Sequence, residues 1–262
     1  MFQQYKPKYN SAISVILNAL YALIIKAMKS RFGSFSFGFA WVFLEPLLHL
    51  AIIITIFGVI FGRFDGEFFT IETLLFTILN WFLIRDIITN NLNTISSNKN
   101  YLVYPTLKPI IFYVSGYISV SIISFLLQLV FFVVCLIFLE SFIFENAWKL
   151  IFIFILSGMF GLSISVILAS VTINSPGLQR IFMLSLRFLY IGSLVIFPID
   201  IIPIEYIDLV FLNPLAQMME LTREIIFPIR NYNISITYIV IWLTVLLLSS
   251  IFIYEAIGKT ID

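Results

Sequence analysis

The sequence predicts an all-α integral membrane protein: six transmembrane helices, an N-terminal amphipathic interfacial helix, and both termini in the cytoplasm. Three observations predict it. Hydrophobic residues make up 61% of the 262 and charged residues only 11%. The stretches 51–60, 110–139, 150–173 and 234–254 hold almost no ionisable group. A hydrocarbon layer ~30 Å thick is crossed by ~20 apolar helical residues. Backbone polar groups in lipid must be satisfied within their own segment, so such runs read as helices rather than strands. Finally, the basic residues collect on one side of the alternating loops.

In chain order, residues 1–40 form a cytoplasmic N-terminal segment and residues 41–262 one membrane domain. In and just beyond stretch 12–25, Ile13, Ile16, Leu17, Leu20, Ile24 and Met28 mark one helical face, with Lys26, Lys29 and Arg31 at its end. That pattern predicts a helix lying on the inner leaflet rather than a seventh span. The predicted spans are 41–61, 71–88, 110–139, 150–173, 180–197 and 234–254. The third exceeds what a perpendicular helix needs and should tilt or extend beyond the headgroups. With the N-terminus inside, Lys6, Lys8, Lys26, Lys29, Arg31, Arg85, Lys99, Lys108, Arg180, Arg187 and Lys259 fall on the cytoplasmic side. Only Arg63, Lys149, Arg223 and Arg230 fall outside, which sets the orientation.

No cleavable signal peptide is expected, because the apolar stretch is followed by lysines and not by a small-residue cleavage site. Cys135 stands alone inside an apolar run and forms no internal disulfide. Gly258-Lys259-Thr260 lacks the earlier glycine of a phosphate-binding loop, since Ile253 occupies that position. The chain is therefore not expected to hydrolyse ATP, and neither a catalytic constellation nor a metal site is expected. His49 is the only histidine; Glu45, one turn earlier, is expected to pair with it. No carboxylate falls near the middle of a span, and Asn80 and Gln128 are the polar groups nearest the centres. Proton-driven transporters usually carry an ionisable group at depth, so that class is disfavoured. Arg187 is expected to be the deepest charge, either snorkelling inward or lining a hydrated path. The run from Gly58 to Gly62 has the GxxxG form that permits close helix approach.

Two loops stand out. Loop 90–109 is polar, asparagine-rich and long, and should hold a short helix able to dock a cytoplasmic partner; a solvated linker is the plainer alternative. Segment 198–233 carries Asn213 as a good N-cap and Pro214 as a good first-turn residue, predicting a helix over 214–227. Its Glu220, Arg223 and Glu224 can form local ion pairs. Such a helix would rest on or re-enter the outer leaflet and shape a channel mouth, or serve only as a structural cap.

The run Met28-Lys29-Ser30-Arg31-Phe32-Gly33, followed by Trp41 to His49 with Glu45-Pro46 entering the first span, resembles the opening of the polysaccharide-export permeases. Tyr104 to Ile110 is similar to a second family stretch, and Asn213-Pro214, Glu220 and Arg223 to a third. These are membrane subunits of type-2 ABC exporters, and the likeness is closest to the KpsM-like capsule-export branch. Ile111 departs from that branch, which often has an acid there. The resemblance implies a homodimer in the bacterial inner membrane, working with two copies of a separate ATPase that binds ATP and Mg. It also implies periplasmic co-polymerase and outer-membrane partners, a lipid-linked polysaccharide substrate, and no nucleic acid. Asn91, Asn93, Thr94, Ser96, Lys99, Tyr101 and Tyr104 would couple to the ATPase. Arg31, Phe32, Trp41, Glu45 and His49 would form the gate. Phe39, Phe76, Trp81 and Tyr190 would join Trp41 as channel aromatics, and Asn213, Pro214, Glu220 and Arg223 would stand at the outer mouth. Exporters of O-antigen, teichoic acid or a small molecule, a non-transporting scaffold, and a proton-coupled flippase are the rival readings.

Overall fold

The computed structural model describes residues 12–32, 38–60, 70–101, 103–104, 107–138, 147–227 and 234–258. Among these, all regular structure is helical. In order come α1 (Ala12–Phe32), α2 (Gly38–Ile54), α3 (Ile71–Leu92), α4 (Thr94–Ser97) and α5 (Pro109–Phe138). They are followed by α6 (Ala147–Thr172), α7 (Pro176–Gly192), α8 (Ile204–Phe211), α9 (Pro214–Ile226) and α10 (Ile236–Gly258). Among the described residues, four helices are long and apolar enough to cross a membrane: the stretches Ala40–Gly58, Pro109–Phe138, Trp148–Thr172 and Ile236–Ala256. They correspond to the first, third, fourth and sixth predicted spans.

The other two predicted spans are helices of a different kind. α3 is long enough to cross but carries Glu72, Arg85 and Asp86, and most of its circumference is buried by neighbours. α7 has only 17 residues and includes Arg180 and Arg187; Leu186 is its one buried side chain among those described. α7 ends five residues before the predicted limit. Leu194 takes a left-handed backbone, φ 58°, that cannot continue a right-handed helix.

α3 is the axis of the fold, packed against α2, α5, α6, α7 and α9. Close approach of α3 and α6 depends on Gly161, where an added Cβ would lie 3.3 Å from the backbone Cα and oxygen of Ile84. Some interior polar groups bond to one another across the helices. Gln128 Nε2 donates to Asn80 Oδ1 at 3.2 Å, and Asn80 Nδ2 donates to Thr222 Oγ1 at 3.3 Å, tying α5, α3 and α9 together. The two polar groups predicted nearest the span centres thus meet.

α2 passes over Pro46, whose ring nitrogen cannot donate to the Val42 carbonyl, and its last turns widen into a π-helix over Thr55–Ile60. Gly58 lies in that segment; Gly62 is outside the described residues. α1 extends beyond 12–25 through the basic residues and packs on α5. Its inward face centres on Leu20 and Leu23, while Ile16 and Leu17 of the expected apolar face are exposed.

α9 begins where the local chemistry predicts: Asn213 Oδ1 accepts from Leu215 N at 3.0 Å, with Pro214 in the first turn. It is not a surface helix, however. Leu215 through Arg223 are all buried, against α3, α6 and α10.

Candidate functional site

An open groove of about 1130 Å³ lies between α2, α3 and α7. Helical spacing assembles its walls. From α3 come Trp81, Phe82, Arg85 and Thr89; from α7 come Arg180, Met183, Arg187 and Tyr190, on one face at intervals of three and four. α2 contributes His49, with Glu45 one turn earlier beside Arg85. The His49 ring nitrogen Nε2 is hydrogen-bonded to the Tyr190 hydroxyl. Edge-on ring contacts place His49 5.5 Å from Phe82 and 5.3 Å from Tyr190, and Trp81 lies 5.6 Å from Tyr190. These centroid distances fall within the favourable range for aromatic pairs.

Arg85 is the electrostatic centre of the groove floor. Its Nη2 is 2.9 Å from Glu45 Oε1 and 2.7 Å from Asp86 Oδ1, Nε also donates to Asp86 at 2.8 Å, and its guanidinium stacks 4.0 Å from the Phe82 ring centroid. The expected Glu45–His49 pair is therefore replaced by two others, Glu45 with Arg85 and His49 with Tyr190. A full cation outcompetes an imidazole for the carboxylate, and the tyrosine hydroxyl offers the ring a partner. Arg180 and Arg187 line the same groove with exposed side chains and, among the described residues, no ion-pair partner.

The upper end of α7 is anchored from behind. Arg223 and Glu220 are each 1% exposed and paired at 2.6 Å. Arg223 Nη2 donates to the carbonyls of Leu194 at 2.5 Å and Val195 at 2.9 Å, and Glu220 Oε1 accepts from Ile199 N at 2.9 Å. Asn213 Nδ2 donates to the Gly192 carbonyl at 3.2 Å and to Ser193 Oγ at 3.0 Å. Arg223 is thus buried far more deeply than Arg187. Glu220 and Arg223, expected at an outer mouth, form an internal clamp on the backbone that ends α7.

The lower end of α7 meets loop 90–109. Gln179 Nε2 donates to Asn93 Oδ1 at 2.7 Å, while Lys26 of α1 donates to Asn98 Oδ1 at 2.8 Å and stands 4.6 Å from the Tyr101 ring centroid. The loop holds a short helix, as expected, in α4, followed by a 3₁₀ turn over Lys99–Tyr101. Asn93, Ser96, Tyr101 and Tyr104 are exposed. Two residues expected on the docking surface face the other way. Asn91 is fully buried, donating to Ser165 Oγ at 2.9 Å and to the Tyr113 carbonyl at 3.4 Å, and Thr94 is 7% exposed. They root the loop in the core rather than offering it to a partner.

Of the predicted gate and channel residues, Glu45, His49, Trp81 and Tyr190 come together at the groove. Trp41 is 56% exposed and does not line it, and Phe76 is buried 2% exposed in the core on another face of α3. The side chains of Arg31, Phe32, Phe39 and Lys99 lie outside the described residues. Arg85 was counted only as a cytoplasmic-side cation; its position beside Asp86 inside a predicted span was the available signal, since ionisable groups at depth are rarely incidental.

The described residues thus combine four helices long and apolar enough to cross a membrane with a groove lined by charged and aromatic side chains. The chain is similar to two forms of the polysialic acid transport protein KpsM of Escherichia coli. The first is 27% identical over 246 residues, covering 89% of this chain and 91% of the relative. The second is 26% identical over 246 residues with the same coverage. No protein-family model matches the chain. The resemblance to KpsM-like ABC exporter permeases read from the motifs therefore extends over nearly the whole sequence.

Proposed function

We propose that this chain is the membrane-spanning permease subunit of an ATP-driven exporter. It moves polysaccharide, lipid-linked and capsular, out across the bacterial cytoplasmic membrane. The observation that carries the reading is similarity to a polysialic acid transport protein along nearly the full length of both chains. In this reading α3 and α7 complete six spans, with both termini cytoplasmic. α3 measures roughly 33 Å at ~1.5 Å per residue, and its charges are tolerated because neighbouring helices surround it.

ATP and Mg bind to a separate ATPase, two copies of which work with a dimer of this chain. Periplasmic and outer-membrane proteins continue the route. The ATPase meets the exposed side of α4 and the following turn. Closure of the ATPases moves that segment, and the Gln179–Asn93 hydrogen bond ties it to α7, whose other end is held by Arg223. α7 is thus a lever fixed at the top and driven at the bottom, and the groove it lines changes shape with each cycle.

Deletion of this subunit should leave polysaccharide inside the cell, and complementation should restore surface polymer. Normal surface polymer in the deletion strain would refute the reading.

A further inference from the structure

We propose that the groove between α2, α3 and α7 is a binding site for an anionic group, a phosphate or a carboxylate, held by Arg180 and Arg187. The apolar part of the same ligand lies against Tyr190 and Met183. The proposal deepens the exporter reading and rests on it for the ligand's physiological identity.

Charge distribution leads to this conclusion. Three arginines line the groove, and only Arg85 is neutralised, by Glu45 and Asp86. Arg180 and Arg187 have no ion-pair partner among the described residues. A groove with apolar walls focuses the field of these two cations on whatever enters. Arginine is also the side chain whose fixed fork of donors fits phosphate and carboxylate in two-point contact. The two residues are two turns apart on one face of α7, roughly 10 Å along the axis. That spacing accommodates two successive charges of an acidic chain, or one lipid phosphate and the first acidic sugar beyond it. A neutral substrate would leave both cations unanswered, so the groove selects acidic over neutral glycans.

The test uses the full chain in phosphatidylcholine nanodiscs, with binding measured by titration calorimetry against empty nanodiscs. Three probes are compared: hexyl phosphate, tetragalacturonate and neutral maltotetraose. Wild type should bind at least one anionic probe at least tenfold more tightly than maltotetraose, with affinity falling as salt rises. Arg180→Gln/Arg187→Gln should lose at least tenfold, and Arg180→Lys/Arg187→Lys, which keeps the charge but not the two-point fork, should fall between the Gln variant and wild type. Binding of hexyl phosphate alone assigns the site to a lipid phosphate, and binding of tetragalacturonate alone assigns it to acidic sugar. Absence of binding by either anionic probe, or a Gln variant that binds like wild type, would overturn the site. Export in cells separates the two claims. A deletion strain with normal surface polymer refutes the exporter reading and leaves the anion site standing. Full complementation by the Gln double variant refutes the site's role and leaves the exporter reading standing.

Discussion

Replacing Arg223 with Ala should be among the most damaging single changes in the chain. The substitution removes one member of an ion pair whose side chains are both 1% exposed, taking from the buried Glu220 carboxylate the guanidinium at 2.6 Å. Breaking such a pair from one side costs ~3–5 kcal/mol. Two carbonyls also lose a donor. Val195 retains the Thr77 hydroxyl at 3.2 Å, while Leu194 loses its guanidinium donor, and an orphaned buried carbonyl costs ~1–3 kcal/mol. The two terms overlap, because the carboxylate can relax or take up a proton, so a combined loss of about 4 kcal/mol is expected. Folded proteins are stable by ~5–15 kcal/mol, and at this chain length each kcal/mol shifts the melting temperature by ~2–4 °C. A fall of about 8–16 °C follows. Cys135, the single cysteine and 2% exposed, is a built-in reporter: a thiol-reactive dye labels it only on unfolding. The double variant Glu220→Gln/Arg223→Met removes both charges at similar volume, and Gln can still accept from Ile199 N. It should recover most of the loss. A single variant melting within about 2 °C of wild type, or a double variant no better than the single, would refute the reasoning.

Four further outcomes are expected. Gly161→Val should force α3 and α6 apart, because even a Cβ meets the Ile84 backbone at 3.3 Å; overpacking of this kind costs ~1–3 kcal/mol, read by the same thermal assay. Tyr190→Phe removes the hydroxyl bonded to His49 and should cost about 1 kcal/mol while lowering export; combined with His49→Ala it should add little further loss. Gln179→Ala breaks a link between exposed side chains and should change stability by no more than about 0.5 kcal/mol, yet uncouple ATP hydrolysis from export. Arg85→Ala removes the cation that Glu45 and Asp86 share and should lower both melting temperature and export; Glu45→Gln, which leaves Arg85 paired with Asp86, should be milder.

The helices were legible in the sequence wherever lipid dictates composition, as in α5, α6 and α10, because a run without charges has one dominant solution in hydrocarbon. The start of α9 was legible for a local reason: Asn213 and Pro214 act on the next turn of their own chain. Its destination was not. Glu220 and Arg223 look like surface charges until the carbonyls of Leu194 and Val195, nearly thirty residues away, supply the arginine's other partners. The end of α7 was hidden for a related reason, since Leu194 adopts a backbone that usually announces itself with glycine or asparagine. At the groove, His49, Glu45, Trp81 and Tyr190 were named from residue type and resemblance. Arg85 was not, because its meaning depends on a carboxylate forty positions earlier that helix packing brings to 2.9 Å. Asn91 was assigned to the wrong side for want of a register: α3 runs on through Leu92, which turns that residue inward.

The central claim is tested most directly by purifying the chain from native membranes in mild detergent, identifying what accompanies it and assaying ATP hydrolysis. The account predicts a separate ATP-hydrolysing subunit at one-to-one ratio. Recovery of this chain alone from several detergents, without ATPase activity, would contradict it.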